Sequence, residues 1–432
     1  MRQRWLAIPA VVVMIFAACS SGNQGGSSAA PSAGAASGSP AAGASEGGGA
    51  GGFDAASISG DLTLQGWSAG AVEAPILEKL LEDFQAKYPN IKVKFEPVAG
   101  DYPAAMAGKF SAGDPPDLFY VDSSVAPTWI DDGLLEPLDQ FAADRGFDTS
   151  QFYEGYLNAF KDPDGVVYGY PKDGNALGMA YNTDMLEAAG VEPPTSWAEL
   201  ETAVEALKDQ DVEAPLCFSP GLDRALMFIY QNGGGLLTED KSAAMIDTPE
   251  SKEAVQWYLD RFKSGDAKAP GDMGDDWCGK ALGEKHSAIV FEGGWLDPFM
   301  TDTYADVKYA WAEVPKGKEQ ANLAFTVSYS IGADSPNKDA SWVLLTYLTG
   351  PEGMKTWTEG GVANPSRKDV PAAEGKEILV KGAEYARPWS FVPDFSRIND
   401  AFNNALTGEI EGGFSADAVV EATKAAIDDV LQ

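Results

Sequence analysis

The sequence predicts an α/β protein built on parallel strands, and two observations support this class. The chain has 432 residues, of which 44% are hydrophobic and 22% charged. This is a globular composition, and the length suits two or three domain-sized units. Leu62 and Leu64 alternate with polar residues, a helical segment follows, and Ile91, Val93 and Phe95 alternate again. A strand, a helix and a strand within about 40 residues indicate a parallel pair.

The helix between these two strands is amphipathic. Pro75 stands where it would begin, apolar residues recur every four positions from Ile76 to Tyr88, and Pro89 ends it. Ser196 and Glu199 form a capping-box pattern at the start of a second helix. The remaining predicted elements are strands at 117–121, 177–181, 288–291 and 325–331, a turn at 164–165, and helices at 197–207, 249–265, 340–349 and 416–431.

The charge balance excludes several classes of function. Thirty-one Lys and Arg stand against 65 Asp and Glu, which gives a net charge of −34. A nucleic-acid partner is excluded, because phosphate binding needs a basic face. The chain has one histidine, His286. A histidine-rich zinc site is therefore not expected, and a Ser-His-Asp or Cys-His mechanism would have to use this residue.

The N-terminus has the pattern of a secretion signal. Arg2 and Arg4 precede an apolar run at 5–18, which is too short for a bilayer span of about 20 residues. The run ends in a lipobox-like segment before Cys19. We expect a lipoprotein signal peptide at 1–18, with Cys19 as the site of lipidation and membrane anchoring outside the cytoplasm. The alternative is a plain signal peptide that is cleaved elsewhere.

The segment after Cys19 predicts a flexible tether, and the other two cysteines predict a crosslink. Residues 20–52 are almost entirely Gly, Ser, Ala and Pro, a composition that cannot bury enough apolar surface to fold. With Cys19 lipidated, Cys217 and Cys278 remain in an oxidising compartment, where we expect one disulfide. Two buried thiols are the alternative.

Two segments resemble catalytic or metal-binding motifs. Gly66 to Gly70 matches the G-x-S-x-G nucleophile elbow of α/β-hydrolases. It falls on the first strand, and its only base would be His286. A ligand-binding loop at the carboxyl edge of a sheet is the better interpretation. Asp272, Asp275 and Asp276 do not have EF-hand spacing. Neither a metal nor a cofactor is predicted.

Aromatic residues are the more informative feature. The chain has 11 Trp, 15 Tyr and 20 Phe. An aromatic face matches the apolar face of a pyranose, while carboxylates and amides match its hydroxyls. Any single one of these residues is more often part of a core. Several occur at predicted strand ends beside Gly, Asp or Asn, namely Trp67, Tyr120, Tyr170, Tyr181, Trp295, Trp389 and Phe395.

Nine short segments, taken in order, carry a resemblance to a known family. They are Leu64–Ser68, Phe84–Val93, Phe110–Leu118, Gly133–Leu135, Tyr168–Asp173, Tyr181–Asp184, Pro194–Trp197, Glu292–Trp295 and Leu348–Gly353. The chain from Leu62 to Gln432 resembles the extracellular solute-binding proteins of bacterial ABC importers, in particular the maltose-binding-like group.

This resemblance implies a fold and a set of ligand contacts. The fold would be a two-lobed, periplasmic-binding-protein-like (type II) α/β fold with a hinge between the lobes. One lobe would comprise 53–172 and 316–350, and the other 175–315 and 351–432. The implied ligand-binding residues are Trp67, Ser68, Asp122, Ser123, Lys172, Asp173, Asn175, Trp295, Tyr329, Trp389 and Phe395. Asn175 falls where maltose-type proteins carry a sugar-binding carboxylate, and Trp389 is the alternative to Phe395 as a second aromatic platform.

The resemblance also implies a function. We expect a monomeric, membrane-anchored receptor that captures a carbohydrate, namely an oligosaccharide, and delivers it to an ABC permease. It would not be an enzyme. Three alternatives stay open at this point: a binding protein for a polyamine or polyol phosphate, a secreted carbohydrate-active hydrolase, and an adhesive surface protein.

Overall fold

The computed structural model describes residues 53–67, 73–209, 212–359, 363–389 and 391–432. The predictions for the signal peptide, the tether, Cys19 and Ser68 lie outside these residues. Within them, every helix is too short or too polar to cross a membrane.

The first sheet has six strands and confirms the predicted parallel pair. Gly60 lies opposite Ile91 in this pair, and the strand at 118–122 joins it, also in parallel. The long strand at 322–331 runs antiparallel to the strands at 118–122 and 170–176. The strands of this sheet are β1 (Gly60–Trp67), β2 (Ile91–Val98), β3 (Leu118–Asp122), β4 (Tyr170–Ala176), β10 (Asn322–Ile331) and β11 (Ala386–Pro388).

The second sheet has five strands, which are β5 (Gly178–Asn182), β6 (Ala214–Cys217), β7 (Ala267–Lys268), β8 (Ser287–Glu292) and β9 (Tyr309–Ala312). Their order in the sheet is β7-β6-β8-β5-β9. β6 and β8 are parallel, and β5 is antiparallel to both of its neighbours.

Sixteen α-helices among the described residues cover the two sheets. In chain order they are α1 (Glu73–Lys87), α2 (Tyr102–Ala112), α3 (Ala126–Asp131), α4 (Asp139–Arg145), α5 (Glu154–Leu157), α6 (Thr183–Ala189), α7 (Trp197–Leu207), α8 (Leu222–Gln231), α9 (Pro249–Lys263), α10 (Cys278–Gly283), α11 (Leu296–Thr303), α12 (Lys338–Thr349), α13 (Pro351–Thr358), α14 (Glu377–Gly382), α15 (Phe395–Gly408) and α16 (Ala416–Val430).

The local signals in the sequence explain where these helices begin. Thr248 caps α9 with its side chain, and Pro249 occupies the first turn, as predicted. Ser196 caps α7 by accepting from the amide of Glu199 at 3.3 Å. The Glu199 carboxylate bonds the amide of Thr195 at 2.7 Å, so the reciprocal half of the capping box is displaced by one residue.

Each sheet carries its own hydrophobic core, and the molecule therefore has two lobes. Lobe 1 is built on the first sheet and lobe 2 on the second. The predicted boundary at Gly350 is wrong, because α13 packs against α1 and α12 and places Met354 and Trp357 in the core of lobe 1. Pro351 only starts a new helix there; it does not begin the crossing to lobe 2.

Two further features tie the elements together. A small hydrophobic cluster that includes Tyr156, Ala176 and Ala324 involves β4 and β10, which we call the hinge strands. A Cβ on Gly174 would come within 2.3 Å of the Tyr156 ring.

A disulfide joins Cys217 at the end of β6 to Cys278 at the start of α10. In the chain-entropy model, closing such a loop stabilises the fold by about 4 kcal/mol.

Candidate functional site

The carboxyl ends of β1 and β3 form the lobe 1 side of the site. Trp67, the last residue of β1, is half-buried, and its ring meets the edges of Tyr102 and Tyr120 at centroid distances of 5.6 and 5.1 Å. Gly66 permits this arrangement, because a Cβ there would lie 2.5 Å from the Tyr120 ring. Burial raises the pKa of the Tyr102 and Tyr120 hydroxyls, which therefore stay protonated.

The loop after β3 places its two predicted residues differently. Asp122 is partly exposed, and its Oδ1 accepts from the backbone amide and hydroxyl of Ser124 at 2.8 and 2.6 Å. Ser123 is buried, and its backbone amide donates to the carbonyl of Thr326. Asp122 thus presents a carboxylate at the site, whereas Ser123 fastens the loop to β10.

Asn175 links the hinge strands to lobe 2. It lies opposite Phe325 in the β4–β10 pair, so both side chains share one face. The Asn175 Oδ1 accepts from the amide of Gly294 at 3.2 Å and from Asn364 Nδ2 at 3.0 Å. Asn364 was not predicted from the sequence, since nothing local marks it as a partner of Asn175.

Lys172 and Asp173 form a buried cluster with Trp357, which we call the inner cluster. The Lys172 ammonium pairs with Asp173 and lies 4.1 Å from the ring centroid of Trp357. Trp357 Nε1 donates to Asp173 Oδ2 at 2.8 Å. Both predicted residues are therefore already engaged by protein groups, and the side chain of Lys172 is only 3% exposed.

Trp295, Glu292 and Arg224 form a second cluster on lobe 2, which we call the outer cluster. Glu292 Oε2 accepts from Trp295 Nε1 at 2.9 Å and from Arg224 Nη2 at 2.7 Å. The guanidinium lies 5.7 Å from the Trp295 ring centroid. Burial acts to lower the pKa of Arg224, but the carboxylates of Glu292 and Asp223 outweigh it and the pKa is raised. Trp295 itself is only half-buried.

Arg224 and Glu292 were not predicted from the sequence as members of the site. A usable signal existed for Arg224, because it stands in the first turn of α8, just beyond the carboxyl end of β6. Ligands of open α/β sheets bind at the carboxyl ends of the strands, which is also the reason the loop after β1 was predicted as a ligand-binding loop. Glu292 was noted only as a neighbour of Trp295.

Aromatic rings continue from Trp295 across the hinge. Trp295 meets Phe325 at 5.9 Å, and Phe325 meets Trp389 at 6.0 Å; all three are half-buried. Tyr329 and Phe395, predicted as ligand contacts, are instead buried, with 2% and 3% of their surface exposed. Tyr329 supports Tyr120 from inside lobe 1, and Phe395 supports Trp389 from inside lobe 2. Direct contact with a ligand is therefore withdrawn for these two residues.

The cations of the two clusters are paired with carboxylates within the protein. Lys172 pairs with Asp173, and Arg224 pairs with both Glu292 and Asp223. Among the described residues, no group of three His, Cys, Asp or Glu side chains is arranged to hold a metal ion. The arrangement can offer aromatic faces and hydrogen bonds to a ligand.

Comparison with known proteins identifies the class. Residues 69–355 match the family described as bacterial extracellular solute-binding protein, and the chain belongs to this family. It is similar in structure to the cyclic α-maltosyl-1,6-maltose binding protein of Arthrobacter globiformis, with 20% identity, a TM-score of 0.75, and coverage of 86% of this chain and 99% of that one. The fold is thus the two-lobed type II fold of periplasmic binding proteins.

Two further relatives agree with this assignment. The GacH receptor of Streptomyces glaucescens is 24% identical with a TM-score of 0.71, over 87% of this chain and 99% of that chain. A protein of Brucella abortus, named for a binding function without a stated ligand, is 24% identical over 398 residues, which cover 87% of this chain and 94% of that protein.

Proposed function

We propose that this protein is a lipid-anchored receptor that captures a carbohydrate, an oligosaccharide, between its lobes and delivers it to an ABC permease. The observation that carries the proposal is the set of half-buried tryptophans, Trp67, Trp295 and Trp389, around a hydrogen-bonded hinge. Their faces suit the apolar faces of pyranose rings. Asp122 and Asn175 are the polar groups that we assign to the hydroxyls.

The ligands named for two similar proteins support a sugar. The Arthrobacter protein is named for a cyclic maltosyl-maltose, and the Streptomyces receptor was solved with acarbose. Membership of the extracellular solute-binding family supports a location outside the cytoplasm and a permease as partner. Lipidation of Cys19 is part of the proposal, and mass spectrometry of the mature N-terminus tests it.

The electrostatics disfavour the ionic alternatives. A phosphate needs an unpaired cation, yet Lys172 and Arg224 are already matched to carboxylates. A polyamine needs several unpaired carboxylates, yet Asp173 and Glu292 each accept from a tryptophan and a cation, which leaves Asp122 alone among the carboxylates assigned to the site. A neutral, polyhydroxylated ligand needs neither.

We infer that the protein is not a hydrolase of the nucleophile-elbow type. The only histidine, His286, precedes β8 and bonds Asp275 at 2.8 Å. Glu292 and the outer cluster lie at the other end of β8, about 20 Å away, since a strand rises about 3.3 Å per residue. His286 thus lies at the end of β8 opposite the outer cluster, engaged by Asp275, and this position does not suit the base of a nucleophile-elbow mechanism.

The test is a ligand panel read by thermal melting and tryptophan fluorescence of the purified protein. A sugar at a hundred times its Kd stabilises the folded state by about 2.7 kcal/mol, which raises Tm measurably. We expect at least one oligosaccharide to do so, without release of smaller sugars. A shift with polyamines or polyol phosphates and with no sugar would overturn the carbohydrate assignment, while product release would overturn the receptor assignment.

A further inference from the structure

The side-chain amide of Asn175 has a fixed orientation. The backbone N–H of Gly294 lies 3.2 Å from Asn175 Oδ1 and can only donate, so the atom that faces it must be the oxygen. Asn364 Nδ2 donates to the same oxygen at 3.0 Å. Turning the amide over would place its NH2 group against two donors. The Asn175 nitrogen is therefore left on the side of the amide away from both partners.

The two partners of this oxygen are themselves held in place. Asn364 is buried, and its carbonyl accepts from the amide of Gly174, on the same strand as Asn175, at 3.0 Å. Gly294 approaches so closely that a Cβ there would lie 2.9 Å from Asn175 Oδ1. Three parts of the chain, namely β4, the loop after β8 and the segment after α13, thus converge on one oxygen atom.

The nitrogen of the same amide is an unused donor. Within the part of the chain that the structure describes, Asn175 forms hydrogen bonds only through its oxygen, and the residue is half-buried. Gly294 directly precedes Trp295, and Phe325, the cross-strand partner of Asn175, lies 5.9 Å from the Trp295 ring. The unused N–H groups therefore lie beside the aromatic surface assigned to the sugar.

We propose that Asn175 recognises one sugar hydroxyl strictly as a hydrogen-bond acceptor, and that Asn364 is the positioning residue that imposes this polarity. The inference rests on the proposed function and deepens it, because it distinguishes the two polar groups assigned to the hydroxyls. The Asp122 carboxylate can only accept, so the hydroxyl it meets must donate, whereas the hydroxyl at Asn175 must accept. A group that only accepts, such as fluorine, is compatible with Asn175, and one that only donates is not.

The experiment measures, by isothermal titration calorimetry, the affinity lost when fluorine replaces one hydroxyl at a time in maltose and in cellobiose. Asn175→Asp keeps an oxygen for Gly294 and Asn364 but presents the sugar with a second acceptor in place of the N–H. At one hydroxyl we expect the loss on fluorination to be about tenfold larger in Asn175→Asp than in the unaltered protein, because fluorine cannot donate to a carboxylate.

Asn182→Asp is the matched control for this substitution. The Asn182 side-chain oxygen also accepts from a backbone amide, that of Met185 at 3.1 Å, and Asn182 ends β5. Gly178, at the other end of β5, is the residue that pairs with Glu292 of the outer cluster. The loss on fluorination at each hydroxyl should stay within about twofold of that in the unaltered protein.

Asn364→Asp tests the positioning role. The substitution turns a donor into an acceptor that competes for Asn175 Nδ2, so affinity for the unmodified sugar should fall by about fivefold. Nitrogen-15 NMR of the side-chain amides gives a readout that packing alone does not change. The Asn175 NH2 signals, identified by their absence in Asn175→Asp, should shift in the unaltered protein when a sugar binds. In Asn364→Asp they should already be shifted without sugar.

The outcomes separate the two proposals. Fluorination losses that are the same in the unaltered protein and in Asn175→Asp at every hydroxyl, or that change equally in Asn182→Asp, overturn the donor assignment and leave the receptor function intact. Asn175 signals that do not respond to a bound sugar of the ligand panel have the same consequence. No binding of maltose, cellobiose or any other sugar of the panel overturns both. Thermal melting of each variant without ligand shows that it is folded.

Discussion

The inner and outer clusters use one chemical design in two environments. In each, a tryptophan N–H donates to a carboxylate that also pairs with a cation, and the cation lies beside the indole ring. Trp357 of the inner cluster is 4% exposed, whereas Trp295 of the outer cluster is half-buried. The same arrangement therefore stabilises the fold where the ring is buried and can contact a ligand where part of the ring is exposed.

Substitution of the inner tryptophan tests its structural role and should have the largest effect. Trp357→Ala removes a buried ring and leaves Asp173 without one of its donors. We expect the free energy of unfolding to fall by about 3–5 kcal/mol, measured by chemical denaturation. Trp357→Phe keeps a ring beside Lys172, so its loss of unfolding free energy should be smaller than that of Trp357→Ala. Equal losses in the two variants would show that the N–H, and not ring packing, dominates.

Substitution of the outer carboxylate tests whether the second cluster also stabilises the fold. Glu292→Gln keeps an acceptor for Trp295 but removes the charge opposite Arg224. The expected loss of unfolding free energy is about 1–3 kcal/mol. Glu319→Gln is the control, because its pairing with Arg387 is solvent-exposed and contributes little. A change no larger than in this control would contradict a supporting role for Glu292.

Substitution of the outer tryptophan should affect binding more than folding. Trp295→Ala removes the exposed face, and we expect affinity for the bound oligosaccharide to fall by more than about tenfold, or about 1.4 kcal/mol. Trp257→Ala is the matched control, since Trp257 is also half-buried but stacks on Trp197 away from the hinge. Unchanged affinity in Trp295→Ala would remove this residue from the site.

The smallest expected effect concerns the pKa of Asp240, an exposed carboxylate outside both clusters. Hydrogen bonds from Thr238 and Ser242 lower the pKa of Asp240 from its ordinary value of 3.8 to about 2. Because the folded pKa lies below the unfolded one, this carboxylate contributes stability above pH 3.8, and the contribution is lost as the pH falls towards 2. Carboxyl NMR titration checks the value, and an unshifted Asp240 would contradict it.

The sequence predicted the parts of the molecule that depend on local pattern. The alternation of apolar and polar residues in β1 and β2 predicted these strands, and Thr248 with Pro249 predicted the start of α9. The position of Trp67 at a strand end was also predicted. The clusters were not, because the partner of Asp173 lies 184 residues away and the partner of Arg224 lies 68 residues away. Pairings of this kind arise only when the chain is folded.

The burial of Tyr329 was equally hidden from the sequence. β10 is covered on both faces over most of its length, so alternation along it does not say which side chains face a ligand. The predicted lobe boundary at Gly350 was wrong for a related reason. Gly350 and Pro351 mark the end of one helix and the start of the next, but they do not indicate which hydrophobic core the second helix joins.

The Asn175 amide has a mechanical consequence. It sits on β4 yet accepts from the amide of Gly294 of lobe 2. In any rotation of the lobes about this junction, displacement grows with distance from the axis. In the proposed site, a sugar unit beside Asn175 would therefore stay nearly stationary as the lobes close, whereas groups of lobe 2 farther from the junction would move farther.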